Sequence, residues 1–329
     1  MSTLRRVREL PPALLQPVTL TGLQHNALQE WLLIALCWLA MHYTPVAWWP
    51  MQGLWIILVS GRLHALGVIL HDACHQRILH REKASFLPTS RLEWLAGYPV
   101  TTTLAAMRYH HLRHHRDSCM AHDPYFKAGA SERWVPAILG RLRGLLLPPA
   151  WILRSYIGCL ALHWPALRSV YARVFLGDRA ATTAQLTAIR HGDREMMQCL
   201  RAERGQALFF LMVGGAWILY PAQVSTGYLL PLLLAGLLNA HRVIAEHRHI
   251  EVHDRSPATV LASTFDHPRS WLNRSVLFPR NIGYHTVHHL HPTVSWQSLP
   301  ALHDWYLTYV PEFARGSLGR SSETPNSPR

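Results

Sequence analysis

Two long stretches without charge constrain this chain more than any other feature. From Glu9 to Gly61 the only acidic or basic side chains are Glu9 and Glu30, and from Gln206 to His241 there are none. A helix that crosses a bilayer needs roughly 20 predominantly apolar residues. The first apolar block, about 28–67, is too long for one span and is interrupted at Thr44-Pro45 and Trp48-Trp49-Pro50. The second, about 207–239, breaks at Tyr220-Pro221. Each predicts a hairpin of two helices, with Trp48 and Trp49 at the far interface, where indole rings concentrate.

Orientation follows from the cations. Lys and Arg total 32 against 19 Asp and Glu, a net charge of +13. Both hairpin turns lack Lys and Arg, whereas the N-terminus (Arg5, Arg6, Arg8), the central region and the C-terminal region carry essentially all of them. By the positive-inside rule those regions, and both termini, are expected in the cytoplasm. The positive charge is spread over segments with no nucleic-acid motif, so no nucleic-acid partner is expected. An anionic membrane surface accounts for it, at about 1 kcal/mol per near-surface cation, and the same face suits an acidic electron donor or carrier protein. Arg62 and His64 fall inside an apolar stretch, so Arg62 must either snorkel to the headgroups or face the bundle interior, snorkelling being the plainer account.

Five scattered cysteines (Cys37, Cys74, Cys119, Cys159, Cys199) with no Cys-x-x-Cys pair read as reduced thiols. Pro11 and Pro12 follow the early arginines and the apolar run starts late, so the first span is expected to be an uncleaved anchor. The polar stretch 81–91 reads as a connector, and 92–107 as an interfacial or re-entrant piece too short to cross. Pro148, Pro149 and Arg154 interrupt 145–164, which is expected to lie at the interface. Alternating charge over 179–205 predicts a solvated amphipathic helix, and the Gly/Ser/Pro/Asn-rich end predicts disorder. The resulting division is a lead-in over 1–27, a membrane domain over 28–315 and a tail over 316–329.

Of the 23 histidines, His25, His42, His80, His163, His191 and His303 stand alone and need only ordinary structural roles. Eight others fall in three clusters, His71/His75, His111/His114/His115 and His285/His288/His289. On a helix of 3.6 residues per turn, spacings of three and four keep each cluster on one face. Stacked imidazoles without a metal would leave buried polar groups unpaired, so the clusters read as metal ligands. Eight exceed the four of a zinc site, and imidazole also suits iron, which points to two metal ions.

The order His-x-x-x-His, His-x-x-His-His, His-x-x-His-His, with hairpins between, resembles the membrane fatty acid desaturase superfamily, which also includes alkane hydroxylases and carotenoid ketolases and hydroxylases. The segments LHDACH, YPVTTTLAAMRYHHLRHHRDSCMAHDPYF, RVIAEHRHIE and NIGYHTVHHLHP carry the likeness, over roughly 28–311. It implies an all-α integral membrane fold of four spans in two hairpins, with a cytoplasmic helical cap holding two irons. It also implies a ninth ligand after the second hairpin, and Glu246-His247 fits. His241 and His249 lie about 240° and 200° around a helix from His247, off its face. His110 offers a second pattern, the longer spacing of alkane hydroxylase-like members; the surroundings favour His111 and leave His110 as a supporting residue. Asp72, Asp123, Glu246 and Asn281 are placed to orient ligand rings. The family often has an acidic residue after Asp-Pro, where this chain has Tyr125.

The implied chemistry is O2-dependent attack on an unactivated C–H bond of a lipid or acyl chain, with fatty acyl desaturation as the reading and a hydroxylase or ketolase of a lipid, terpenoid or specialised metabolite as the alternative. No His-Pro-Gly-Gly haem segment is present, so electrons are expected from a separate ferredoxin or cytochrome b5 type protein. Acyl carrier protein is a further candidate partner. A metal transporter is a remote alternative, because transport sites sit near the bilayer midplane and these clusters lie beyond the expected spans.

Overall fold

The structure is a computed structural model that describes residues 10–76, 91–125, 134–178, 181–248, 250–267 and 270–318. Those residues form helices joined by turns; the one β feature among them is an isolated antiparallel bridge between His247 and Thr264. Thr19 starts helix α1 (Leu20–Tyr43), its hydroxyl accepting from the Gly22 amide. The chain reverses over 44–48 and re-enters as α2 (Trp49–His75), with Pro50 in its first turn, where a missing N–H costs nothing. Gln52 ties the reversal by donating to the carbonyls of Met41 and Thr44. Leu23, Ala27 and Ile34 of α1 share a buried core with Leu63, Leu66, Ile69 and Leu70 of α2.

The short segment before the second histidine cluster is a π-helical turn, Glu93–Gly97, and a 3-10 turn, Tyr98–Val100. It leads into α3 (Leu104–Asp117), whose first turn is capped by Thr103 and by the Glu93 carboxylate, which accepts from the Leu104 amide at 2.9 Å. Next come α4 (Trp134–Leu142), a 3-10 turn (Arg143–Leu146), α5 (Leu147–His163) and α6 (Pro165–Phe175). The amphipathic helix expected over 179–205 is two helices. The first, α7 (Thr183–His191), ends at Gly192, which takes φ +81 and so favours glycine, and Asp193 then caps α8 (Arg194–Leu219). Its early turns are not solvated throughout: they bury Cys199, Leu200 and Glu203.

Past Tyr220, the turns Pro221–Val224 and Ser225–Leu229 run into α9 (Leu230–Glu246). The remainder is short: α10 (Pro257–Ser263), α11 (His285–Leu290), α12 (Leu299–Tyr309) and α13 (Pro311–Leu318). Leu10 packs with Val287, Leu299, Leu302 and Tyr306, which fastens the lead-in beneath α11 and α12. Residues 316–318, expected in the tail, complete α13; 319–329 lie outside the described residues, as do Arg5, Arg6, Arg8 and the connector 81–90.

Among the described residues three helices are long and apolar enough to cross a membrane: Trp49–His75, Ala137–His163 and Pro221–Glu246. The second runs through the segment expected at the interface. The two hairpin reversals lie together, sharing a groove of about 920 Å³ lined by Val46, Trp49, Tyr220 and Gln223. The histidine clusters sit at the opposite ends of α2 and α9. Arg62 does not snorkel: it pairs with buried Glu30 at 3.1 Å and donates to the Ser275 carbonyl, while Arg280 closes on the same carboxylate at 2.6 Å.

Candidate metal centre

Three helix ends and one loop converge. The last turn of α2 supplies His71 and His75, and the last two turns of α3 supply His111, His114 and His115. The short α11 supplies His285, His288 and His289, all buried. His247 is the residue after α9, with extended φ/ψ of −127° and 147°. Angles around a continued helix therefore do not apply to it: the bridge to Thr264 orients it, while His241 turns away to Arg141 at 3.0 Å.

The structure brings these nine residues together as two all-imidazole groups. His71, His75, His111, His115 and His288 form one, and His114, His247, His285 and His289 the other; within each, one ring nitrogen per residue lies within 4.8 Å of every other. Opposed Nε2 atoms approach to 3.0 Å between His75 and His111, 2.9 Å between His247 and His285, and 3.2 Å between His115 and His288. Imidazole nitrogens about 2.1 Å from a shared metal and at right angles to one another stand about 3.0 Å apart. Both ring nitrogens of His71 and of His289 are buried with no hydrogen-bond partner. An unpaired buried group costs about 1–3 kcal/mol, a cost that a metal accepting the lone pair removes. Burial, and secondarily the neighbouring imidazoles, hold His111, His115, His285, His288 and His289 well below the usual histidine range. Neutral rings with free lone pairs are what a cation requires. The donor set fits a pair of metal ions.

Two of the candidate supporting residues meet ligand rings. Asp123 accepts from His114 Nδ1 at 2.8 Å, and from the amides of Cys119 and Tyr125 at the same distance. Glu246 stands 3.5 Å from His285 Nδ1 and is held by Arg242 at 2.9 Å. The others act elsewhere. Asn281 donates to the Trp296 carbonyl, and the Asp72 carboxylate accepts from the Trp296 amide, so both brace the loop after α11. His110 lies outside both groups and bonds the Tyr125 hydroxyl at 2.5 Å.

Sequence reasoning passed over three contributors. Arg242, four residues before Glu246, is readable from i, i+4 spacing. Tyr125 stands two residues past Asp123, and its ring lies against His114 with centroids 4.6 Å apart. Asp266, which accepts from the Thr286 amide at 2.8 Å and so fixes the first turn of α11, carries no local signal.

A cavity of about 230 Å³ reaches His71 and His111. Its walls come from α2, the Tyr98–Val100 turn, α3, the Arg143–Leu146 turn, α5 and α9, and include Val100, Met107, Trp151 and Leu232. Gly144 and Gly236 set the wall's close approach: a Cβ on Gly144 would meet the Gly236 carbonyl at 2.6 Å.

Apolar membrane-length helices ending in buried imidazole groups define a membrane protein with a histidine-box metal centre. The fatty acid desaturase family model matches residues 47–316 of the 329, and the chain belongs to that family. No curated protein matches it. Family and histidine groups together make this a metal site of the iron-using kind.

Proposed function

We propose that the protein is an O2-dependent di-iron oxidoreductase that introduces a double bond into a lipid acyl chain. The observation that carries this reading is the pairing of two buried imidazole groups with a cavity that opens on one of them. One iron would be held by His71, His75, His111, His115 and His288, the other by His114, His247, His285 and His289. Reduced iron with O2 supplies an oxidant able to take hydrogen from an unactivated C–H bond. The protein's own contribution is positional. Asp123 fixes the His114 ring, Glu246 braces His285, and the apolar wall around Val100, Met107 and Leu232 excludes water and presents one carbon beside His71 and His111. The site's electrons come from a separate ferredoxin or cytochrome b5 type donor at the basic face, and an acyl carrier protein is a further candidate partner there.

The membrane arrangement we infer has four spans, α1 and α2 in one hairpin and α8 and Pro221–Glu246 in the other, with the metal end and both termini cytoplasmic and a membrane domain over 28–315. Leu32 of α1 and Leu211 and Ile218 of α8 are 62%, 61% and 76% exposed, as lipid-facing residues are. Parity supports the count. His111–His115 and His247 share one centre, so the chain crosses an even number of times between them. With α8 and Pro221–Glu246 taken as those two crossings, Ala137–His163 lies along the interface; parity alone equally admits Ala137–His163 paired with Pro221–Glu246.

The test is product analysis with candidate acyl substrates, a reductant and labelled O2. A product two mass units lighter and free of label is expected. Label retained in an alcohol or ketone instead identifies a hydroxylase or ketolase, which shares the first hydrogen abstraction.

A further inference from the structure

His64 lies seven residues before His71 on α2, an angular offset of about 20°, so the two share a face roughly 10 Å apart along the axis. His64 is among the residues that line the cavity reaching His71 and His111, and it is 4% exposed. Nδ1 stands 3.1 Å from the Val276 carbonyl. A carbonyl can only accept, so Nδ1 carries the proton and Nε2 is left as a bare lone pair. That atom is buried and has no partner among the described residues. Along the same wall Tyr125 is joined to His110, and the terminal nitrogens of Arg242 are bonded to Glu246 and Asn239. Arg242 Nε, by contrast, is buried without a partner among the described residues, and Arg242 lines the same cavity as His64. A polar group at membrane depth that bonds nothing in its own protein is a functional site by default.

We propose that the substrate carries a hydrogen-bond donor, a hydroxyl or an amide N–H, which His64 Nε2 accepts roughly two helical turns from the metal-facing ring of His71. This rests on the cavity being the substrate site. The unpartnered Arg242 Nε adds that the same group also accepts, as a hydroxyl or an amide does. The substrate class is then an apolar chain bearing one neutral donor–acceptor group inside the protein, in place of an unbroken hydrocarbon. His64 is a specificity-determining residue in this assignment and touches no reacting atom.

Two matched pairs of probes test it against the full metal-loaded protein in phosphatidylcholine nanodiscs, by scintillation proximity with tritiated ligands. The pairs are 1-dodecanol with dodecyl methyl ether, and N-dodecylacetamide with its N-methyl derivative. In the wild type the donor of at least one pair binds about tenfold more tightly than its methylated partner, which corresponds to about 1.4 kcal/mol. His64→Phe brings that ratio near one by weakening the donor alone, and His64→Gln, which keeps an acceptor, restores much of it. The pair that discriminates tells hydroxyl from amide. Ratios near one for both pairs in the wild type, or a ratio unchanged in His64→Phe, overturn the proposal and leave the cavity reading standing. Ala235→Phe, which fills the same wall, should abolish binding of every probe. Binding that survives it overturns the cavity reading itself, and the proposal with it. If His64→Phe does not fold, His64→Leu and the wild-type ratios carry the same decision.

Discussion

Asp123 offers the sharpest check on the division of the nine histidines into two groups. Its carboxylate holds one ligand ring, His114, and that ring belongs to the group with His247, His285 and His289. Removing such a partner typically costs 10 to 100-fold in metal affinity, or about 1.4–2.7 kcal/mol. Asp123→Ala also strips the acceptor from the amides of Cys119 and Tyr125, at about 1–3 kcal/mol for a buried donor. The Cys119 turn, which takes a positive φ of 61°, should therefore loosen as well. The assay equilibrates the purified full-length protein against graded chelator and counts iron per chain by mass spectrometry. One iron should leave Asp123→Ala at a chelator concentration 10 to 100-fold lower than in the wild type, while the other leaves at the wild-type concentration. Asp123→Asn, which keeps one acceptor oxygen, should fall between. Loss of both irons together, or of neither, refutes the assignment of His114 to a separate group.

Three further outcomes are expected. His111→Ala should abolish turnover and iron binding at the first group, whereas His110→Ala should cost only 10 to 100-fold, as loss of an outer partner does; iron content and rate on the two variants decide which spacing is used. Reporters fused at Met51 and Gln223 should signal the far side of the membrane, and those at Gly129 and Ser317 the cytoplasm; a far-side signal at Gly129 overturns the scheme. Histidines whose folded pKa lies below the ordinary 6.5 contribute stability that is complete above 6.5 and lost as the pH falls from there toward the lowered values, because the unfolded chain then binds more protons. Metal-stripped protein should accordingly melt at a lower temperature at pH 5.5 than at pH 7.5; an unchanged melting temperature shows that the rings are not buried as described.

The features legible in the sequence are those with a local period. Apolar run length marked the reversals near Thr44 and Tyr220, and spacings of three and four marked the histidine clusters. The residues that connect elements had no such signal. Glu30 read as a lone acid in an apolar helix, yet it receives Arg62 and Arg280 from two other parts of the chain. Arg154 read as a reason to keep its segment at the surface, yet it is buried 2.9 Å from Glu203, which also accepts from the Tyr171 hydroxyl at 2.6 Å. Each charge is compensated by a partner 32 to 250 residues away, a distance over which propensity and periodicity carry no information.

These long-range pairs also explain how helices that end independently deliver nine rings to one place. Arg280 has a left-handed φ of 56° and Asn281 one of 58°, a costly backbone for side chains with a Cβ. Arg280 is fixed to Glu30 and to Asn26 of α1, and Asn281 to the Trp296 carbonyl. The turn that launches α11 is therefore tied on one side to the first membrane helix, while Asp266 caps α11 from the other. His285, His288 and His289 take their positions from α1 and from the loops, even though α1 contributes no ligand. The same Glu30 carboxylate holds Arg62, two residues before His64 and nine before His71, so one buried acid registers the third cluster against the first. A membrane helix with no part in the chemistry is thus a mechanical member of the metal centre.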